Sequence, residues 1–324
     1  MTDFQISRRS VLAGTAALGA AALPGAGFAE APMLGVTQPT HTRFKIGAFE
    51  VTTILDGAVA LPGPHPIFGE NVTAEEAAAL AAENFLPADR METPFTVTIV
   101  NTGNEVILFD TGNGGDTGRR PAAGQLLARL EAAGFSAEQI DHVVITHFHG
   151  DHIGGLTEGG APAFPNAQVI LGAKEFDFWS NEDLLFDDAM SSRAQLVQDK
   201  VVPFAEAARM IAPGDAVVSG IEAVDAWGHT PGHHAFHIES EGERLMIIAD
   251  TANHYVMSLQ RPDWHIRFDM DKEGAVTARK QVLGLIAADK IPFVGYHMPA
   301  PAVGYLEPHG AGFRYVAASY QLRV

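Results

Sequence analysis

The chain has no cysteine and few basic residues. Among its 324 residues, 39 Asp and Glu stand against 21 Lys and Arg, so the formal net charge is −18. Without cysteine the chain cannot form disulfides, zinc–thiolate sites, a thiol nucleophile or a cysteine-linked lipid anchor. The acidic excess argues against nucleic acid and membrane surfaces as partners, because phosphate groups and anionic lipids would be repelled. Hydrophobic residues, at 47%, are sufficient for a buried core, and 14 histidines are available for chemistry.

The first 29 residues have the composition of an export signal. Residues 7–12 (SRRSVL) resemble the twin-arginine signal, and an apolar run over residues 11–23 is followed by small residues suited to cleavage. Glycine and proline interrupt this run, which is shorter than the ~20 apolar residues that a membrane span requires. We therefore predict a signal peptide over residues 1–29, a mature chain that starts near Glu30, and a periplasmic or secreted protein.

The rest of the chain is predicted to form one layered α/β domain. Residues 30–43, rich in Pro, Thr and Gly, predict an extended arm, and residues 44–324 contain no Ser/Gly-rich linker and no internal repeat. Strands alternate with helices in both halves, which is typical of sheets stacked with helices. The predicted helices cover residues 73–84, 122–133, 173–210 and 272–288, and the predicted strands cover residues 49–55, 96–101, 105–110, 141–146, 167–171, 220–226, 234–239, 244–250 and 293–296.

The densest group of metal-binding side chains is HFHGDH, residues 147–152. Its three imidazoles and one carboxylate are ligands that zinc takes. The segment directly follows a strand of branched residues, which favours a rigid site over a chance histidine-rich surface loop. Three further groups also follow predicted strands, namely GHTPGHH at residues 228–234, Asp250 and His297. Because ligand sites gather at the carboxyl ends of strands, we expect these groups to lie together.

In order and spacing, these motifs resemble the metallo-β-lactamase superfamily. The resemblance covers residues 44–324 and implies an αββα sandwich, in which two mixed sheets are flanked by helices, with a two-zinc site on one edge. By position it implies His147, His149 and His233 as ligands of one zinc, Asp151, His152 and His297 as ligands of the other, and Asp250 as the bridge. Asp110, in ILFDTG, corresponds to an aspartate that braces the histidine loop. His229 and His234 are expected to be structural, because the second histidine of GHTPGH is taken as the ligand.

Three further segments resemble the subgroup that contains methyl parathion hydrolase and acyl-homoserine lactonases: residues 164–167 (FPNA), 174–179 (KEFDFW) and 312–315 (GFRY). This resemblance implies an exported hydrolase that opens N-acyl-homoserine or related lactones and also cleaves aryl esters. The nucleophile would be a hydroxide that bridges the metals, since a cation lowers the pKa of bound water from ~15.7 towards ~7. Asp250 and Asp151 would be the catalytic residues, and Asp151 would return a proton to the leaving alkoxide.

Trp179 and Phe186 are the candidate substrate-binding residues, because they lie in an apolar stretch and Trp179 matches a pocket aromatic of the subgroup. An apolar pocket would suit an acyl chain or an aryl group equally well.

The alternative function is a phosphotriesterase of the methyl parathion hydrolase type. A glutathione-thioester hydrolase is less favoured because basic residues are scattered, and a metal-binding protein without turnover is less favoured because the ligand set is complete. The ligands would also accept manganese, cobalt or iron, and a homodimer is expected only by analogy with the subgroup.

Overall fold

The computed structural model describes residues 31–116 and 118–318. Residues 31–37 have no regular secondary structure, and the first strand begins at His41, within the predicted arm. The predicted signal peptide lies outside the described residues. Within them, no helix is long and apolar enough to cross a membrane.

The first half of the described chain forms a mixed sheet of seven strands. In spatial order these are β1 (His41–Ile46), β2 (Phe49–Pro62), β3 (Arg90–Asn101), β4 (Val106–Phe109), β5 (His142–Ile145), β8 (Gln168–Gly172) and β9 (Arg209–Ile211). Strands β1 to β4 pair antiparallel, whereas β4, β5, β8 and β9 pair parallel. A separate short ribbon consists of β6 (Thr157–Glu158) and β7 (Ala161–Pro162).

The second half forms another mixed sheet of seven strands, whose order in space follows the chain. They are β10 (Ala216–Val218), β11 (Ile221–Asp225), β12 (His234–Ser240), β13 (Glu243–Ile247), β14 (Phe293–Val294), β15 (Val303–His309) and β16 (Gly312–Ala317). All neighbours pair antiparallel except β13 and β14, which are parallel. The parallel pair places the ends of β13 and β14 at the same sheet edge.

Helices connect the strands of both sheets. They are α1 (Ala74–Glu83), α2 (Leu126–Ala132), α3 (Gly150–Ile153), α4 (Ala173–Trp179), α5 (Ser191–Lys200), α6 (Met257–Gln260) and α7 (Lys272–Asp289). The start of α1 is set by a capping box, in which Thr73 Oγ1 accepts from the Glu76 amide and Glu76 accepts from the Thr73 amide. Asp271 caps α7 by accepting from the Gly274 amide.

The two sheets pack face to face, and helices cover their outer faces. Between the sheets, the rings of Phe109 in β4 and Phe236 in β12 lie 5.0 Å apart. Side chains of α2, α4 and α5 pack on the outer face of the first sheet, and Leu283 and Ile286 of α7 pack against Phe293 of the second. The predicted αββα sandwich with two mixed sheets is therefore confirmed.

The helical stretch predicted from Ala173 to about Met210 is not one continuous helix. The stretch contains α4, α5 and two short 3-10 turns, Glu182–Phe186 and Val202–Phe204, before β9. Asn181 breaks the helix because its side chain accepts a hydrogen bond from the Asp183 amide. Asp187 does the same with the amides of residues 189 and 190.

Candidate metal centre

Loops at one edge of the two sheets bring histidine and aspartate side chains together. Residues 147–152 follow β5, residues 226–233 join β11 to β12, and Asp250 and His297 follow β13 and β14. Within the described chain their ligand atoms form two groups. The first cluster consists of His147, His149, His229 and Asp250, and the second cluster consists of Asp151, His152 and His297.

Three imidazole nitrogens converge in the first cluster. His149 Nδ1 lies 3.1 Å from His147 Nε2 and 2.9 Å from His229 Nε2. Asp250 Oδ2 lies 3.2 Å from His229 Nε2 and 3.9 Å from His147 Nε2. Nitrogen and carboxylate ligands at such short range have the arrangement of a coordination shell.

Asp250 also reaches the second cluster. Within that cluster, His152 Nε2 and His297 Nε2 lie 3.6 Å and 3.7 Å from Asp151 Oδ2. Asp250 Oδ1 lies 3.3 Å from His152 Nε2, and Asp250 Oδ2 lies 3.2 Å from His297 Nε2. Asp250 therefore stands between the clusters, in the position that the sequence predicts for a bridging carboxylate.

The prediction that His233 is a ligand and His229 structural is wrong, because the two residues have exchanged roles. Both ring nitrogens of His233 bind the main chain: Nδ1 donates to the Ala226 carbonyl at 2.8 Å, and Nε2 accepts from the Asp250 amide at 3.2 Å. Burial, with the charge of His229 adding to it, lowers the pKa of His233 to about 3. His233 is therefore a neutral, fully engaged structural histidine.

The turn around Gly228 decides which histidine faces the site. Gly228 has φ of +119°, and a Cβ at this position would lie 2.2 Å from the Ala275 amide nitrogen in α7. The amide of Met270 donates to the His229 carbonyl at 3.0 Å. This packing against α7 and the segment before it aims the His229 ring at the cluster.

Asp110 braces the second cluster, where the sequence places it. Its buried carboxylate accepts hydrogen bonds from His152 Nδ1 at 2.8 Å, from the Thr146 amide at 2.8 Å and from the Thr146 hydroxyl at 3.0 Å. Asp110 has a left-handed backbone with φ of 63°, which is unfavourable for a non-glycine residue. Such a conformation persists where surrounding contacts impose it, and here these contacts aim His152 Nε2 at Asp250.

Asp269 and Arg279 brace the first cluster, and neither is predicted from the sequence. Asp269 Oδ1 accepts from His229 Nδ1 at 2.8 Å, and Asp269 Oδ2 accepts from Arg279 Nη2 at 2.6 Å. Arg279, fully buried on α7, also donates to the carbonyls of residues 251, 262 and 264. The Asp269 contact keeps a proton on His229 Nδ1, so Nε2 is the nitrogen that faces His149 and Asp250. No local motif marks either residue.

Glu175 connects the HFHGDH and GHTPGH segments and is also not predicted from the sequence. Its buried carboxylate accepts from the amides of Phe148 at 2.9 Å and Gly232 at 2.8 Å. Trp179 Nε1 donates to the same carboxylate at 2.9 Å. Because Phe148 lies between His147 and His149, this carboxylate holds residues 147–149 against the GHTPGH loop.

Burial and mutual charge set the protonation states. Burial, with repulsion from neighbouring histidines, lowers the pKa of His147 and His149 well below the usual value. Burial alone would raise the pKa of Asp250, but the facing histidines, His297 foremost, hold it well below its usual range. For His229, burial lowers the pKa, but the adjacent carboxylates outweigh burial and raise it to about 9. At neutral pH, Asp250 is thus an anion and His147 and His149 offer free lone pairs.

The donor set fits a pair of divalent cations. The buried atoms His152 Nε2 and Asp250 Oδ1 face each other without a hydrogen-bond partner in the described chain, and leaving buried polar atoms unpaired is costly. One cation would be held by His147, His149 and His229, the other by Asp151, His152 and His297, and Asp250 would contact both. Imidazole and carboxylate ligands suit zinc and other divalent metals, so zinc in particular stays a prediction.

A cavity of 440 Å³ adjoins the clusters. His149, Asp151, Asp250 and His297 line it together with mainly apolar side chains. The apolar residues are Val59, Leu61, Phe68, Met91, Phe95, Leu196 and Phe268. Its size and lining are those of a small-molecule site.

Neither predicted substrate-binding residue lines this cavity. Trp179 is fully buried in the core beneath the first sheet, where its indole binds Glu175. Phe186 is 87% exposed at the end of a 3-10 turn. Both predictions are therefore wrong, because the break at Asn181 redirects the chain between α4 and α5 and the cavity wall comes instead from β2, β3 and α5.

Comparisons with known proteins agree with this geometry. The family profile of the metallo-beta-lactamase superfamily matches residues 93–285. A probable metallo-hydrolase of Mycobacterium bovis is 29% identical over 180 residues, which are 49% of this chain and 56% of that protein. The chain thus spans little more than half the length of this relative. An N-acyl homoserine lactonase of Bacillus cereus is 24% identical over 229 residues, 65% of this chain and 84% of the lactonase.

One solved structure combines this fold with a bound product. AidC, a dizinc quorum-quenching lactonase in complex with the product N-hexanoyl-L-homoserine, matches with a TM-score of 0.77 and 26% identity. The match covers 87% of this chain and 98% of AidC.

Proposed function

This chain belongs to the metallo-beta-lactamase superfamily, and we propose that it is a two-metal hydrolase that opens N-acyl-homoserine or related lactones. The observation that carries the proposal is the pair of ligand clusters sharing Asp250 beside an apolar cavity of 440 Å³. The likeness to two lactonases supports lactones as the substrate class. Aryl esters are proposed as additional substrates, because the same chemistry acts on any ester that the cavity admits.

When bound, two divalent cations would acidify a water molecule and polarise the carbonyl oxygen of an ester. Asp250 would be the ligand common to both cations, and Asn253 Nδ2 donates to its Oδ2 at 2.7 Å. Asp151 lines the cavity with a side chain that is 18% exposed, while its main-chain carbonyl accepts from the Tyr296 hydroxyl at 2.5 Å. We assign to the Asp151 carboxylate the uptake of the proton that the attacking water loses and its transfer to the alkoxide oxygen released when the lactone C–O bond breaks.

The apolar wall suits the acyl chain of such a lactone. Removing an acyl chain from water is favourable by about 0.8 kcal/mol per buried CH₂. Phe68, Met91 and Phe268 line the cavity together with the candidate ligands. Longer acyl chains should therefore lower KM until the cavity is filled.

The proposal is tested by measuring kcat/KM of zinc-loaded protein for N-hexanoyl- and N-decanoyl-homoserine lactone, 4-nitrophenyl hexanoate and paraoxon. We expect the lactones to be the best substrates. Absence of lactone turnover in fully metal-loaded protein would reject the proposal, and a higher kcat/KM for paraoxon would favour the phosphotriesterase alternative.

We propose further that the protein is exported through its twin-arginine-type segment, residues 1–29, which supports a periplasmic or secreted location. Intact-mass analysis of periplasmic protein should give a chain that starts near Glu30. Retention of Met1 in that fraction would contradict cleavage.

A further inference from the structure

Two arginines in the cavity wall have no acidic partner among the residues that the structure describes. Arg119 and Arg193 line the cavity beside His149 and Asp151. Within the described chain, the arginines that form ion pairs with carboxylates are Arg90, Arg244, Arg267, Arg279 and Arg314. Both residues are exposed, and they bring two positive charges to the wall of one cavity in a protein whose net charge is −18.

Arg119 is held in place by a chain of buried groups. Its Nη1 donates to Asn113 Oδ1 at 2.6 Å, and Asn113 Nδ2 donates to Asp56 Oδ2 at 2.8 Å. Asp56 is fully buried and also accepts from the amides of residues 113, 124 and 126. The Arg119 guanidinium further lies 5.5 Å from the centre of the Phe95 ring. These contacts engage one nitrogen and one face of the guanidinium, and its remaining N–H groups bind no described residue.

Arg193 approaches the same cavity from α5. It stands in the first turn of that helix, one turn before Leu196, which also lines the cavity. Its side chain is exposed and forms no hydrogen bond within the described residues.

We propose that Arg119 and Arg193 make the enzyme selective for lactones and esters that carry a carboxylate on the acyl chain. The flat fork of a guanidinium forms two parallel hydrogen bonds to a carboxylate, and such charged hydrogen bonds are stronger than neutral ones. The remaining cavity wall is mainly apolar, so these arginines are the groups that can offset the lost hydration of an anion. This inference rests on the proposed function and narrows its substrate class.

The first test compares two esters with the same six-carbon acyl chain, 4-nitrophenyl hexanoate and mono-4-nitrophenyl adipate. We expect a higher kcat/KM for the adipate ester, with the preference falling as salt is added, because charge attraction is screened. The double variant Arg119→Met, Arg193→Met should reduce kcat/KM for the adipate ester by about 10- to 100-fold, as expected for lost charged hydrogen bonds. Its kcat/KM for the hexanoate ester should change less than about threefold.

A control distant from the cavity is Arg314→Met, which removes an arginine that pairs with Glu307 on the β15–β16 hairpin. This control should keep the preference of the parent enzyme. Arg119→Lys should lose part of the preference, because lysine keeps the charge without the fork. Equal losses for both esters in the double variant, or no preference in the parent enzyme, would overturn the inference.

A binding measurement separates this inference from the proposed function. Calorimetric titration of the metal-loaded protein with adipate and with hexanoate requires no turnover. Tighter binding of adipate that disappears in the double variant supports the arginine pair even if no lactone is hydrolysed. Lactone hydrolysis with equal affinity for the two acids would leave the proposed function intact and reject the selectivity.

Discussion

The two ligand clusters are built from different parts of the chain. In the second cluster, Asp151 and His152 are neighbours in α3, and the bracing Asp110 directly follows the strand β4, which pairs with β5. Each cluster takes one histidine from the second sheet, His229 or His297. The bracing residues of the first cluster, Asp269 and Arg279, however, come from a loop and a helix later in the chain. A residue that orients a ligand and directly follows a neighbouring strand, such as Asp110, can be predicted from the sequence. Orienting residues from distant segments, such as Asp269 and Arg279, depend on how those segments pack.

The largest effect is expected for Asp250→Ala, because Asp250 belongs to both clusters. We expect loss of both metals and a fall in kcat of at least about 10³-fold. Metal content by mass spectrometry and lactone turnover measure the two losses. Full two-metal stoichiometry in this variant would show that Asp250 does not join the clusters.

His229→Ala and His233→Ala separate the two histidines of GHTPGH. The first variant should lose one metal and most activity, because a ligand of the first cluster is removed. The second should retain both metals but lose about 1–3 kcal/mol of unfolding free energy, because two buried main-chain groups lose their partner. Metal stoichiometry and urea denaturation measure these effects, and the opposite pattern would restore His233 as the ligand.

Asp110→Asn and Asp269→Asn test whether each brace serves its own cluster. Each variant should lower the affinity for one of the two metals about 10- to 100-fold, because a hydrogen-bond partner that orients a ligand is lost. Titration with a competing chelator resolves two metal affinities, and cobalt spectra identify the cluster affected. Thermal unfolding of the metal-free variants shows whether the unpaired Arg279 destabilises the fold. Equal weakening of both metals by either variant would argue against separate braces.

The smallest effects are expected for Trp179→Phe and Phe186→Ser. Loss of the indole donor to Glu175 should cost about 1 kcal/mol of unfolding free energy and leave the acyl-chain preference unchanged. Phe186→Ser, at an exposed position, should change neither property. A shift in acyl-chain preference in either variant would return these residues to the substrate pocket.

Strand ends made much of the site predictable. The apolar strands β4, β5 and β13 can be recognised in the sequence. The polar residues that follow their carboxyl ends, namely Asp110, His147 and Asp250, are therefore expected at one edge of the sheets. The choice between His229 and His233 could not be predicted, because the turn at Gly228 is shaped by packing against α7. The prediction that Trp179 and Phe186 line the pocket was wrong for a similar reason. Side-chain hydrogen bonds of Asn181 and Asp187 interrupt the predicted helical stretch.

The sequence by itself determined a layered α/β domain and the strand ends that carry its motifs, because periodicity is a property of neighbouring residues. The resemblance of those motifs to a family implied the sandwich and the candidate ligands. Only the tertiary structure decided which histidine of GHTPGH faces the first cluster, which carboxylates brace the imidazoles and which arginines border the cavity. Those assignments depend on the contacts of Asp269 with Arg279, and of Asp56 with Asn113, between segments far apart in the chain. Burying a charge or an amide without a partner is costly, so buried groups of this kind must pair with each other. Which groups are buried together is decided by the packing of the whole fold.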